Sequence, residues 1–302
     1  MRTIGIIGGS GLYDAPWIQE VRRIGLEELP PSVQAWGTPS DEVVEGVCDG
    51  VRVLFLPRHG RGHRIPPHRI PVRANLMALK ALGAEQLISI SAVGSLEEDV
   101  HPGDFVVVDQ LIDRTIDRPR TFFENLGVVA HVAFAEPVDA ALSEAIYLAA
   151  REVGVRVHKG GTYVCIDGPQ FSTRAESRLY RSWGGRVVGM TALPEARLAR
   201  ECELPYALLA LVTDRDAGDE TNEAVSANAV LEILRKQVID VQNIIRKALG
   251  SLPDPRLSPA STALDAAILT PPSAIGEEAK AKLGPVLQRW LEEKARRVVG
   301  EH

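Results

Sequence analysis

The chain has 302 residues, 45% of them hydrophobic and 25% charged, the make-up of a globular protein that can bury a substantial core in one large or two ordinary domains. With 34 Lys+Arg against 40 Asp+Glu, its formal net charge of −6 argues against nucleic acid or an anionic membrane surface as the main partner. Cys48, Cys165 and Cys202 are odd in number, scattered and without metal-ligand spacing; with no signal peptide or membrane-length apolar run, buried thiols in the reducing cytoplasm are expected.

Over residues 1–250, short apolar runs alternate with amphipathic segments, the pattern of an α/β layer fold. The first run, 4–7, enters Gly8-Gly9-Ser10-Gly11. Asp14 stands where a dinucleotide fingerprint needs its last glycine, and Leu12 where a hydrolase elbow needs one. What remains is a turn whose N–H groups and Ser10 hydroxyl can cradle a small anion, or a plain tight turn. The run 51–56 leads into Arg58-His59, the start of a stretch to Arg73 with five arginines and three histidines in 16 residues. Its glycines and prolines break the helix that would pair His59 with His63 on a metal, and no carboxylate stands among them. A planar guanidinium beside an imidazole at a strand end suits phosphate instead.

A helix is expected at 73–82, closed by Gly83, then a strand at 87–91 whose end offers Ser91, Ala92 and the amides before Gly94. A strand at 105–109 and a helix at 138–152 follow. A strand at 162–166 delivers Gly168-Pro169-Gln170-Phe171-Ser172, where Phe171 either meets a ligand ring or joins the core. Helices at 174–183 and 194–202 flank a strand at 187–190. Met190-Thr191 then sits at a helix start, where an anion meets the helix dipole.

The strand at 206–213 ends in Thr213-Asp214-Arg215-Asp216. Two carboxylates beyond the carboxyl end of a buried strand cannot both be comfortably charged, so one holds its proton more tightly than an exposed aspartate. Such a pair can donate to a ring nitrogen and accept from an amino group, which fits an adenine edge; a solvated acidic loop or a metal pair are the other readings. Prolines from 253 to 272 lead to a final amphipathic helix at 277–298, with Leu283, Val286, Leu287, Trp290 and Leu291 on its apolar face. The expected organisation is a main domain over 1–250 and an arm, 251–302, packed on it or on a neighbouring subunit.

Read together, Gly8-Gly9-Ser10-Gly11, Pro57-Arg58-His59-Gly60, Ile65-Pro66-Pro67-His68-Arg69-Ile70, Ala92-Val93-Gly94-Ser95-Leu96, Asp167-Gly168-Pro169-Gln170-Phe171, Gly189-Met190-Thr191 and Thr213-Asp214-Arg215-Asp216 give a strong resemblance. The chain is similar to the methylthioadenosine-cleaving branch of the trimeric purine nucleoside phosphorylase family, from Ile4 to about Leu249. That resemblance implies a single-domain α/β nucleoside phosphorylase fold with a twisted mixed sheet flanked by helices. It implies phosphorolysis of S-methyl-5′-thioadenosine, phosphate as co-substrate, no metal or organic cofactor, and a homotrimer. Ser10, Arg58, His59, Ser91, Ala92 and Thr191 would bind phosphate, Phe171 and Met190 line base and ribose, Asp214 act as the acid, and Asp216 read the purine. Ser172, Ala227, Val230 and Leu231 would set specificity, the last three around the 5′ group. A 6-oxopurine nucleoside or methylthioinosine phosphorylase is the neighbouring reading, differing mainly at Asp214 and Asp216, and a non-enzymatic nucleoside-binding protein is a distant one.

Overall fold

The computed structural model describes residues 1–9, 16–217 and 227–300. Its first strand, β1 (Thr3–Gly8), is buried at all six positions, which is why it reads as an unbroken apolar run. An edge hairpin follows, with β2 (Gln19–Ile24), a single helical turn α1 (Pro31–Gln34), β3 (Val43–Cys48) and β4 (Val51–Pro57). Then come α2 (Val72–Ala81), the ten-residue strand β5 (Gln86–Ser95), β6 (Phe105–Val107) and β7 (Gln110–Asp113). The chain continues through α3 (Ala140–Val153), β8 (Val157–Lys159), β9 (Thr162–Cys165), α4 (Arg174–Ser182), β10 (Gly185–Gly189), α5 (Ala192–Glu201) and β11 (Tyr206–Arg215). Two long helices complete it, α6 (Ala227–Leu249) and α7 (Glu277–Gly300).

The helix boundaries have local causes. Asp139 caps α3 by accepting from the Leu142 N–H at 2.8 Å, and Gly154 ends it in the left-handed region at φ 86°. Thr173 and Glu176 form a reciprocal capping box on α4. Pro285 lies inside α7 and removes a backbone donor, and the helix kinks at Gly284.

The strands form one mixed sheet in the order β2-β3-β4-β1-β5-β10-β9-β7, with β11 pairing β5 and β6, and β6 pairing β8. Strands β4, β1, β5 and β11 are parallel neighbours, so their carboxyl ends open on one edge. Helices α2, α5 and α7 cover one face through Leu76, Met77, Leu198, Leu283 and Trp290. Helices α3 and α6 cover the other through Leu142, Ile146, Val241 and Ile244. The apolar face of α7 is thus part of the main core, and Arg289 clamps it by ion pairs to Glu203 and Asp265.

Several elements differ from the sequence expectation. The strand expected at 105–109 stops at Val107, and Asp109 stands between β6 and β7 with its side chain accepting the Gly161 N–H at 2.9 Å. Strands β2, β3, β7 and β8 and helix α6 were not expected. Five of the six residues of β2 are exposed, so it lacks the alternation that marks a half-buried strand. The strand expected to stop at Thr213 runs to Arg215, with a register shift between Val212 and Asp214.

Candidate active site

One wall of the opening is built from hydroxyls. Ala92 is the one exposed position in the otherwise buried β5, so the sheet is uncovered there. The neighbouring Ser91 Oγ lies 3.0 Å from Thr191 Oγ1 and 3.1 Å from the Tyr163 hydroxyl. Antiparallel pairing of Val188 with Gly94 leads Thr191, three residues on, back opposite Ser91. The Thr191 N–H donates to the Tyr163 oxygen at 3.2 Å. Tyr163 reaches this point from β9 because Gly189 has no side chain; a Cβ there would overlap the phenol. Burial pushes the Tyr163 phenol up to about 12, so it is a neutral hydroxyl at physiological pH.

Arg58, directly after β4, is 2% exposed. Its Nε and Nη2 donate to the two oxygens of Glu195 at 3.0 and 3.1 Å, Nη1 to the Ile90 carbonyl at 2.8 Å, and Nη2 also to Ser89 Oγ at 2.8 Å and the Ile7 carbonyl at 3.3 Å. Glu195 accepts further from Ser89 Oγ at 2.5 Å and from the Tyr206 hydroxyl at 3.1 Å. Most N–H groups of Arg58 are therefore committed within the protein, and its charge is paired with that of Glu195. Next to it, His59 is buried and stacks on His63 with ring centroids 4.2 Å apart. Its Nδ1 lies 2.8 Å from the Ile65 carbonyl, which can only accept, so Nδ1 carries the hydrogen. Burial, then the charge of Arg58, pushes the imidazole down to about 3, which leaves a neutral ring with a bare lone pair on Nε2.

The second wall carries the carboxyls. The register shift after Val212 sets Asp214 opposite Gly94, where the strand crowds its neighbour so closely that a Cβ on Gly94 would lie 2.8 Å from Asp214 Oδ1 and 3.3 Å from Asp216 Cβ. Burial raises the Asp214 carboxyl to about 6; a hydrogen bond from Thr213 Oγ1 at 2.8 Å opposes that rise, and the charge of Asp216 adds to it. Asp216 is 3% exposed and also raised by burial, against the opposing influence of the Ser177 and Ser172 hydroxyls. Asp216 Oδ2, Ser172 Oγ and Ser177 Oγ are buried without a hydrogen-bond partner of normal geometry. These three polar atoms face one another in a single buried cluster, with the serine hydroxyls turned to the Asp216 carboxyl.

The chain belongs to the phosphorylase superfamily. The profile of that superfamily matches residues 3–250. An S-methyl-5′-thioadenosine phosphorylase of Geobacter sulfurreducens is 50% identical over 291 residues, covering 96% of this chain and 99% of the relative. One from Chloroflexus aurantiacus is 48% identical, covering 95% and 98%. Among solved structures, a methylthioadenosine phosphorylase from an Antarctic soil metagenomic library superposes with a TM-score of 0.88 at 43% identity, over 95% of this chain and 99% of that one. The Schistosoma mansoni methylthioadenosine phosphorylase in complex with adenine gives 0.76 at 38% identity, over 84% and 93%.

Within this phosphorylase frame, the residues singled out from sequence fall into two groups. Arg58 and His59 directly follow β4, Ser91 and Ala92 lie midway along β5, and Thr191 follows β10; Arg58 reaches the Ile90 carbonyl and Ser91 meets Thr191. Asp214, Asp216 and Ser172 gather around Gly94 and Ser177. Phe171 is 41% exposed on the loop after β9, and Met190 presses its sulfur on Gly168 of the same loop. Val230 is half-buried and Leu231 46% exposed in the first turns of α6. Ser10 lies outside the described residues, as does the side chain of Ala227. Among the described residues no group of three His, Cys, Asp or Glu side chains could hold a metal ion, and no helix is long and apolar enough to cross a membrane.

Sequence reasoning missed Tyr163, Glu195 and Ser177 as site residues. Tyr163 sits in an apolar run and reads as core. Glu195 is an acid on a helix whose partner Arg58 lies 137 positions away, a pairing no local pattern announces.

Proposed function

We propose that the protein is an S-methyl-5′-thioadenosine phosphorylase, converting that nucleoside and phosphate to adenine and 5-methylthioribose 1-phosphate. The observation that carries this reading is the pair of carboxyls, Asp214 and Asp216, brought together against Gly94 with the Ser172 and Ser177 hydroxyls beside Asp216, and the Asp214 carboxyl raised by burial to about 6. The names of the relatives support the substrate.

The chemistry follows from the two walls. Stretching the N-glycosidic bond develops positive charge at C1′ and negative charge on the purine. Phosphate held by the hydroxyls of Ser91 and Thr191, in the field of Arg58 and against His59, stabilises the sugar cation and then captures C1′. Asp214 hydrogen-bonds or protonates N7 as the purine departs, a contribution of about 10²–10⁴-fold. An ionised neighbour accepts from the 6-amino group, whereas a 6-oxo group would meet it acceptor to acceptor. Phe171 and Met190 line base and ribose, and Ser172 contributes to base choice. Ser10 joins the phosphate site, while Ala227, Val230 and Leu231 wall the 5′-methylthio group, roles that rest on the family resemblance. The same resemblance supports a homotrimer of the cytoplasm that uses phosphate as co-substrate and no metal or organic cofactor.

Release of free base from methylthioadenosine, adenosine and inosine, each with and without phosphate, tests the reading. Phosphate-dependent release with methylthioadenosine preferred is expected; release at full rate in phosphate-free buffer refutes phosphorolysis.

A further inference from the structure

Arg118 lies in the loop after β7, and its side chain is 5% exposed. Its Nε donates to Asp167 Oδ1 at 3.0 Å, Nη1 to the carbonyls of Met190 and Leu193, both at 2.8 Å, and Nη2 to the carbonyls of Asp167 at 2.8 Å and Ile166 at 3.3 Å. A guanidinium has five N–H donors in a rigid fork, and here five acceptors take them. All five belong to two segments that follow strands, the second of them running into the start of α5. One follows β9 and carries Phe171 and Ser172; the other follows β10 and carries Met190 and Thr191. The other Asp167 oxygen accepts the Ile116 N–H at 2.8 Å, so the arginine's own loop is tied in as well.

We infer that Arg118 is a positioning residue for phosphorolysis, a rigid strut that fixes the loop bearing Phe171 and Ser172 against Met190 and so sets the width of the nucleoside slot. It has no N–H left for a substrate, and its acceptors are one carboxylate and four carbonyls of the two segments that carry the site residues. The close approach of Met190 to Gly168 is the contact it regulates. The hydroxyl wall has an additional tie that does not involve Arg118, from Tyr163 on Ser91 and Thr191. Loss of the strut should therefore be felt by the nucleoside and not by phosphate, a separation that mere loosening of the fold would not produce.

The experiment varies each substrate in turn for wild type, Arg118→Ala, Arg118→Lys and Asp167→Asn. In Arg118→Ala, kcat/KM for methylthioadenosine should fall about 10²-fold, the effect of a misplacement near an ångström. The KM for phosphate should stay within about twofold. Methylguanidinium at millimolar concentration should restore part of the loss by refilling the fork, whereas the single ammonium of Arg118→Lys should not. Asp167→Asn, which keeps the loop carbonyls and the side-chain size, should show a smaller loss in the same constant, and it carries the test if Arg118→Ala does not fold. Equal changes in the nucleoside and phosphate constants, or no recovery with methylguanidinium, would overturn the inference. It rests on the phosphorolysis reading, and wild type separates the two: if that reading fails, phosphate-dependent adenine release is missing from wild type also.

Discussion

Replacing Asp214 by Asn should make the protein more stable and nearly inactive at once. Its carboxyl ordinarily titrates at 3.8 and here at about 6, because burial disfavours the charged form. That displacement corresponds to about 3 kcal/mol. The folded-state value is the raised one, so between these two values the folded protein holds a proton that the unfolded chain has released. Stability contributed at this position is complete below about pH 4, falls as pH rises to about 6, and stays lost above it. Asparagine has nearly the same shape and can still accept from Thr213, but it never ionises. The variant should match wild type near pH 4 and exceed it by up to about 3 kcal/mol at pH 8. Urea unfolding of both proteins from pH 4 to 8, at one protein concentration so that any subunit association is held constant, measures the difference. Turnover of methylthioadenosine should drop about 10²–10⁴-fold, with the remaining activity shifted toward inosine-type substrates. A stability difference that does not change with pH, or an asparagine variant less stable at pH 8, would refute the picture of Asp214 as a buried, proton-holding acid.

Three other substitutions probe the walls independently. Tyr163→Phe removes the hydroxyl shared by Ser91 and Thr191, and the KM for phosphate should rise about fivefold, in line with one hydrogen bond, while the nucleoside KM stays near wild type. Gly94→Ala places a methyl 2.8 Å from Asp214 Oδ1, and pushing the carboxyl back to ordinary contact should cut kcat/KM for the nucleoside roughly tenfold or more, with kcat/KM unchanged as the refuting outcome. Glu195→Ala leaves Arg58 buried without its carboxylate, and urea unfolding should show a loss of about 3–5 kcal/mol.

The parts of this protein legible in its sequence are those where one local pattern has one structural meaning. Unbroken apolar runs at β1 and in β11 announce strands covered on both faces, and Thr173 with Glu176 announces the start of α4. The loops at the ends of those strands could be named as candidates from position and residue type alone. What was not legible depends on partners distant in the chain. Arg58 reads as an exposed anion hook, yet 137 residues later Glu195 turns it inward. Strand β2 is too polar to declare itself, and it pairs only because β3 offers an edge. Helix α6 has an apolar stripe at Val241, Ile244, Ile245 and Ala248 that packs under the sheet.

The tautomer of His59 carries a consequence for which oxyanions the pocket accepts. With Nδ1 engaged by Ile65 and the ring neutral, Nε2 can only receive a proton. In the role proposed for it, this nitrogen pairs well with an oxyanion that still bears a hydroxyl, as hydrogen phosphate does at neutral pH. Sulfate has the same size, shape and charge but four bare oxygens, and one of them would face the imidazole lone pair with no hydrogen between. In that role His59 would let the pocket tell two nearly identical anions apart by a single missing proton, through repulsion and not through any additional contact.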